Sequence, residues 1–411
     1  MARISIQTIA ELKNQTFSKL ENVYNFQYGQ FNINPDNGGA YPIYGANGII
    51  GGYTEFNAEK SVIIGHMGEN AGSVLWEEAK HFVTYNGTIA KPKNENELNA
   101  KFGYYWLVNL NIRKICAGSG QPFLSYNDLN ELPITFPPLP EQKKIASVLS
   151  ALDNKIALNK KMNQKLEAMA KRLYDYWFVQ YDFPDKNGRP YKTTGGKMVW
   201  NEVLKREIPE GWSVSLVSDV IKPIERGISY TSEDIKNSLG IPMINLACFD
   251  KKGNYRTGEL KFYSGEYDES NKVYPLDILI ACTDLTQKAD IIGTPIFLSA
   301  EAPFYVFSTD LAKITPKNEF HKYFLYYYLK NPTFHRYIKP FASGTTVKHL
   351  NVKGVENYPI FIPDEKVVKQ FTETVRPMII AINERINEIN RLTALRDKLL
   401  PLLMNGQVEI K

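Results

Sequence analysis

Cysteine is scarce in this chain: Cys116, Cys248 and Cys282 are the three present, far apart in sequence. An odd, scattered set builds neither a disulfide framework nor a Cys-x-x-Cys metal site, so all three are expected to be buried thiols. Histidine is also sparse, with five residues, and His66 has no His/Cys cluster near it that would make it a metal ligand. No run of about 18 apolar residues suggests a membrane span. The first residues, Met1-Ala2-Arg3-Ile4-Ser5, show no apolar stretch followed by a small-residue cleavage site, so a cytoplasmic location is expected. A GxxxxGK[ST] phosphate loop is missing, which removes an ATP-driven motor. Excess charge of one sign is weak too. A net charge of +5 and a pI of 8.7 fall short of the values above about 9 that mark a strongly basic nucleic-acid module, so charge alone names no partner.

What the chain does have is a second copy of itself. Residues 117–173 recur at 343–399 without a gap, with Gly118/Gly344, Leu124/Leu350, Pro133/Pro359, Ile134/Ile360, Pro137/Pro363, Lys143/Lys369, Ile156/Ile382, Leu166/Leu392, Ala168/Ala394 and Leu173/Leu399 identical. A period this long is a duplicated domain with its following helix, since solenoid repeats recur every ~20–50 residues. Upstream of residue 117 the likeness fades: Val62-Ile63-Ile64-Gly65 echoes Ile278-Leu279-Ile280-Ala281, and Tyr104 to Leu107 echoes Tyr323 to Tyr326, but the loops share little. That is a shared scaffold carrying different contacts.

A length of 411 residues fits two domains plus helices, at ~100–200 residues per domain, and 43% hydrophobic with 12% aromatic residues suits packed cores. β-rich runs (Ser61 to Ile64, Lys80 to Thr84, Ile134 to Phe136) lie between glycine turns. Phe102 to Asn111 and Lys322 to Lys330 read as buried aromatic helices. At Pro137-Pro138-Leu139-Pro140 a strand stops and a helix starts. Ile145, Leu149, Leu152, Ile156, Leu166, Leu173 and Trp177 then form a coiled-coil seam, interrupted by Asn159 and Asn163, over roughly 57 Å at about 1.5 Å per residue. The second helix carries Phe371, Val375, Met378, Ile382, Ile386, Ile389, Leu392, Leu399 and Leu403, and Pro377 is expected to bend or break it. The fold class expected is α+β: two similar mixed α/β domains of a pseudo-two-fold duplication, separated by two long antiparallel coiled-coil helices. The boundaries are 1–137, a helix at 138–182, a linker at 183–208, a second domain at 209–362 and a helix at 363–411.

Pro137 to Ala146 (PPLPEQKKIA), Leu149 to Ile156 (LSALDNKI), Trp177-Phe178-Val179, Ile208-Pro209-Glu210-Gly211-Trp212 and Leu395 to Pro401 (LRDKLLP) carry a resemblance over the whole chain. It resembles the specificity subunit of type I restriction-modification enzymes. The resemblance implies two target-recognition domains, each reading one half of a split target in double-stranded DNA, and two spacer helices that also dock methyltransferase subunits, expected in two copies. Restriction/translocase subunits would join through the complex. The chain itself would be non-catalytic and hold no cofactor, with S-adenosylmethionine, magnesium and ATP on the partner subunits. Gly211-Trp212 has no counterpart near the N-terminus, where Leu20 to Val23 is a weak substitute for Leu216 to Val220, so the first domain has room to begin differently.

DNA bases are read by hydrogen bonds to groove edges, and phosphates by Lys, Arg, hydroxyl and backbone N–H groups. The Gly118-Ser119-Gly120-Gln121 loop and its copy Gly344-Thr345-Thr346-Val347-Lys348-His349 offer these groups: glycines admit close approach, Ser119, Thr345 and Thr346 donate, and Gln121, Lys348 and His349 reach base edges. Such a loop is otherwise an ordinary turn with a helix cap. Lys114 and Arg336 flank the loops. The divergent loops add Tyr44, Asn47, His66, Asn70, Tyr85 and Asn86 in the first domain, and Tyr230, Thr283, Gln287, Lys288 and Thr309 in the second. Each of these alone is most simply a surface or turn residue. The heads are expected to enter major-groove segments about one helical turn apart, with the helices setting the spacing.

Rival readings fare less well. Phe136-Pro137-Pro138-Leu139 lacks the Asn/Asp-Pro-Pro-Tyr/Phe pattern of an amino-methyltransferase and sits at a helix start. Pro184-Asp185-Lys186 and Pro363-Asp364-Glu365-Lys366 lack the strand context of nuclease motifs. A coiled-coil tether with protein-binding heads stays open on the sequence alone.

Overall fold

Val62, Ile63 and Ile64 leave the strand Ser61–Gly65 no polar face to turn to water, and it is buried along its whole length. The computed structural model, which describes residues 16–31, 34–118, 120–236, 239–250, 254–256, 258–299 and 301–410, seats this strand inside an antiparallel sheet. The sheet order is Tyr24–Tyr28, Gly87–Pro92, Ser61–Gly65, Val74–Glu77. A second sheet joins Gly48–Tyr53 antiparallel to Tyr41–Gly45, which pairs parallel with Phe82–Val83. The helix Ala100–Asn109, capped where Phe102 N donates to the Asn99 side chain, buries Phe102, Tyr105, Trp106 and Leu107.

The second half repeats these pairings strand for strand. Glu225–Arg226, Leu311–Ile314, Ile278–Ala281 and Pro295–Phe297 form its first sheet in the same order. Lys261–Tyr263, Ile241–Ile244 and Tyr305–Phe307 form the second, again with one parallel pair, and Lys272–Val273 is added at its edge. The opening strand repeats as well. Thr16–Lys19 pairs with Pro133–Phe136 as Ser213–Leu216 pairs with Pro359–Ile362. Leu20 N then donates to Leu132 O and Val217 N to Tyr358 O, both at 2.9 Å. The first domain therefore begins as the second does, and Leu20–Val23 matches Val217–Val220. The Gly-Trp signature was no guide here, because main-chain ladders fix the register without requiring particular side chains.

The first long helix, Leu139–Tyr174, is 36 residues and passes into a π-helical turn at Asp175–Val179. Gln142 anchors its start: fully buried, its amide donates to Glu97 O (2.9 Å) and Pro137 O (2.8 Å) and accepts from Asn99 N (2.8 Å). The second, Glu365–Met404, runs 40 residues and is not broken at Pro377. Pro377 lies on the exposed side while Phe371, Val375 and Ile379 are buried on the other, so the carbonyl it leaves unpaired is open to water.

By its contacts the chain forms two units, one running to Lys155 and resuming at Leu392, the other Ile156–Arg391. In the second unit the helices pair antiparallel, since Asn159 donates to Glu388 Oε2 (2.8 Å) and Asn163 to Ile382 O (3.3 Å). These buried amides pin the register of an apolar seam. In the first unit Arg396 bonds Asp153 (3.0 Å), whose other oxygen accepts from Tyr105 Oη (2.6 Å), and Leu400, Leu403 and Met404 close over Ile145 and Leu149. Residues 183–208, expected as a linker, carry the hairpin strand Met198–Asn201, paired with Arg206–Pro209, and place Phe183 and Ile208 in the main core. The thiols are free. Cys248 and Cys282 are buried as expected, but Cys116 is only half-buried.

Candidate nucleic-acid interface

Each Gly-Ser/Thr loop is the tip of a hairpin. Ala117 and Phe123 exchange main-chain bonds of 2.9 and 2.8 Å, and Ser343 pairs with His349 in the same way. Gly118 and Gly344 have φ of 90° and 120°, and a Cβ would stand 2.9 Å from Gln121 O or 2.0 Å from Val347 O. Only glycine turns this tight loop. Each hairpin lies beside a strand end, Phe123 bridging Met67 and His349 pairing with Thr283. Ser119 lies outside the described residues.

In the first unit an open cleft of about 310 Å³ gathers Asn47, Asn70, Asn86 and Gln121, with Ile50, Met67, Gly68 and Glu69 between them. Side-chain amides present a donor and an acceptor together, the pair that matches the N6/N7 edge of adenine. Sequence had offered the amides separately; Ile50 and Met67 were missed, because apolar residues in strands and loops carry no distinguishing signal. Tyr85 and Lys114 are exposed in the same unit and do not line the cleft. Two candidates are not on the surface. Tyr44 is buried and its Oη donates to Glu77 (2.6 Å), and His66 is 1% exposed.

His66 supports the cleft from beneath. Its Nδ1 bonds Leu124 O at 2.7 Å, its ring packs on Tyr28, Phe123 and Tyr85, and its buried Nε2 has no partner among the described residues. Burial lowers its pKa from the ordinary 6.5. A lowered folded pKa means that stability is fully present above 6.5 and is lost as pH falls from there through the folded value, where the unfolded chain binds the proton first. Between pH 7.5 and 5 the stability of the chain is expected to fall, and His66→Phe to remove part of that slope; an unchanged slope in urea titrations of the variant would clear His66 of this role.

The second unit brings fewer candidates together. Thr283 is buried under His349, with Oγ1 3.5 Å from Nδ1, while Lys348 turns its Nζ back to Gly344 O (2.6 Å). Thr345, Thr346, Thr309 and His349 are exposed. Gln287 and Lys288 are exposed on the loop that Asp284 ties down by accepting from Thr286 N and Ile291 N. Arg336 sits on the helix Pro332–Ile338, touching Thr333 (3.4 Å). Tyr230 lies elsewhere, accepting from Lys261 Nζ (2.6 Å) beside Met243 and Tyr263. Arg226 was missed: it is exposed and its Nη2 donates to Thr309 O (2.5 Å). Only the ladder register locates it, as no motif surrounds it. Among the described residues no His/Cys/Asp/Glu group could hold a metal ion, and no helix is long and apolar enough to cross a membrane.

A family model described as the type I restriction modification DNA specificity domain matches residues 13–168 and again 209–391. The chain belongs to this specificity family. The two matched stretches of the family fall on the two halves of the duplication. Within the specificity family, the MjaIX specificity subunit of Methanocaldococcus jannaschii is 28% identical over 308 residues, covering 73% of this chain and 66% of that protein, just under two thirds. The HindI specificity subunit of Haemophilus influenzae is 23% identical over 340 residues, covering 70% and 71%. The crystal structure of a type I restriction-modification S subunit from M. genitalium shares the fold, with a TM-score of 0.64 over 95% of this chain and 96% of that one at 17% identity.

Proposed function

We propose that this specificity-family chain reads a bipartite, asymmetric target in double-stranded DNA, one half-site per recognition domain, as the non-catalytic subunit of a type I restriction-modification complex. The observation that carries this reading is a scaffold used twice with different side chains at its tips. At matched backbone positions His66 stands against Cys282, Tyr85 against Thr309, Gln121 against Val347 and Phe123 against His349. A catalytic or purely structural duplication has no need to vary these positions while keeping the ladders; two readers of unlike sequences do.

Methyltransferase subunits, two in number, would dock on the long helices, and restriction subunits through them; S-adenosylmethionine, magnesium and ATP would be theirs. Leu158, Met162 and Met169 support a docking face: on the first helix they are 52%, 37% and 55% exposed and share one side at spacings of a helical period. The helices are proposed to set the length of the unread spacer.

Methylome sequencing of cells carrying this chain with a partner methyltransferase tests the reading. Modified bases are expected in a two-part motif with a fixed gap, and binding by the complex is expected to weaken steeply with salt as phosphate contacts release counterions. A continuous motif would contradict one reader per domain, and salt-independent binding would favour a protein-binding tether.

A further inference from the structure

We propose that Arg226 is a base-reading residue of the second recognition domain and that the base it reads is guanine. This rests on the DNA-reading function above. Its place in the fold follows from the repeated ladders. Gly29 and Gly227 occupy one equivalent position: a Cβ on either would lie 2.1 Å from Thr84 O or 2.2 Å from Phe307 O, and the next residues make equivalent parallel bridges, Gln30 with Thr84 and Ile228 with Ser308. The residue before each glycine is Tyr28 in the first domain and Arg226 in the second, pairing with Thr88 and Ala312.

In the first domain that position is filled by rings. Tyr28 lies 4.2 Å from His66 and 3.8 Å from Tyr126, centroid to centroid, on the layer that underlies the amide cleft. In the second domain two of these rings are gone, with Cys282 in place of His66 and Thr309 in place of Tyr85, while His349 takes the place of Phe123. An arginine stands there instead. Arg226 is exposed and its guanidinium is held at one edge by the carbonyl of Thr309, with no carboxylate paired to it among the described residues. A short chain of contacts links it to the hairpin: Asp310 O accepts from Cys282 N (2.7 Å), and Thr283 pairs with His349.

Arginine donates from five N–H groups in a rigid fork, and with one edge held the rest are oriented instead of freely swinging. Two of them match guanine O6 and N7, the commonest specific arginine contact in the major groove. The first domain has no arginine at the matching place, and Arg113 is the sole arginine between residues 16 and 137. The two half-sites are thus read with different chemistry, amides in one and a guanidinium in the other.

The test uses the full chain assembled with its methyltransferase subunits, as wild type and as Arg226→Ala, Arg226→Gln and Arg226→Lys, against duplexes carrying every single base-pair change in the target. The wild type is expected to favour G·C at one position of one half-site by on the order of 10- to 100-fold. All three variants should lose that preference, lysine included, and keep the other half-site intact. An unchanged motif in Arg226→Ala overturns the proposal. So does an equal loss on every sequence that lysine restores, since that is a phosphate contact. A wild-type complex with no two-part motif would instead remove the DNA-reading function itself, which separates the two failures.

Discussion

Alanine at Asn70, Asn86 and Gln121 together is expected to erase selectivity in one half of the DNA target and leave the other half untouched. The three amides line one cleft, and each well-placed amide pair with a base is worth about 1–3 kcal/mol of discrimination. They are close enough to share a ligand, so their losses will not add fully, and a fall of at least about 100-fold in affinity for the target over random DNA is the expected result. None of the three belongs to the buried core, so the variant should keep its melting behaviour. Competition binding by the assembled complex measures it. A matching loss on random DNA, or a change in both half-sites, would count against the cleft as the reader.

Phe178→Ala is expected to be the most damaging single change to stability, at about 3–5 kcal/mol. Phe178 is fully buried where the first long helix ends, and its ring meets Phe324 at 4.8 Å, Phe371 at 4.9 Å, Tyr174 at 5.4 Å and Trp212 at 6.1 Å. It therefore joins both long helices to the aromatic helix Lys322–Leu329 and to the start of the second domain. Removing the ring opens a cavity that four separate elements would have to collapse to fill. Urea unfolding followed by the fluorescence of Trp177 and Trp212 reports the change directly. A loss below about 1 kcal/mol would show that the cluster repacks and that the helices are joined to this domain by other contacts.

The helices were legible because their signal is periodic. Ile145, Leu149 and Ile156 repeat at helical spacing, Pro137 to Pro140 mark the start, and the copied segment fixed the second helix from the first. Asn159 and Asn163 read as polar breaks in the seam of the kind that can fix register, and their bonds to Glu388 and to Ile382 O fit that reading. Pro377 does not break its helix, since a proline weakens a helix interior only as much as its surroundings allow, and here packing on the opposite face offsets it. Some strands upstream of residue 117, such as Ser61–Gly65, were legible, but how they pair was hidden for another reason. Their pairing partners lie tens of residues away, and Thr16–Lys19 and Ser213–Leu216 share a ladder position with only Ser18 and Ser215 in common. The amides of the first cleft were each nameable, but their convergence depends on loops whose closure only coordinates show. Tyr44 and His66 were plausible readers by type, and burial made them supports.

One unit of this molecule is discontinuous in sequence, built from the chain up to Lys155 and again from Leu392. During synthesis the part made first is therefore the last to be finished: Ile145 and Leu149 wait, uncovered, for Leu400, Leu403 and Met404 to leave the ribosome. At about 5–20 residues per second, the intervening stretch takes some tens of seconds to translate, an interval in which the nascent amino-terminal part stays open to chaperones and proteases.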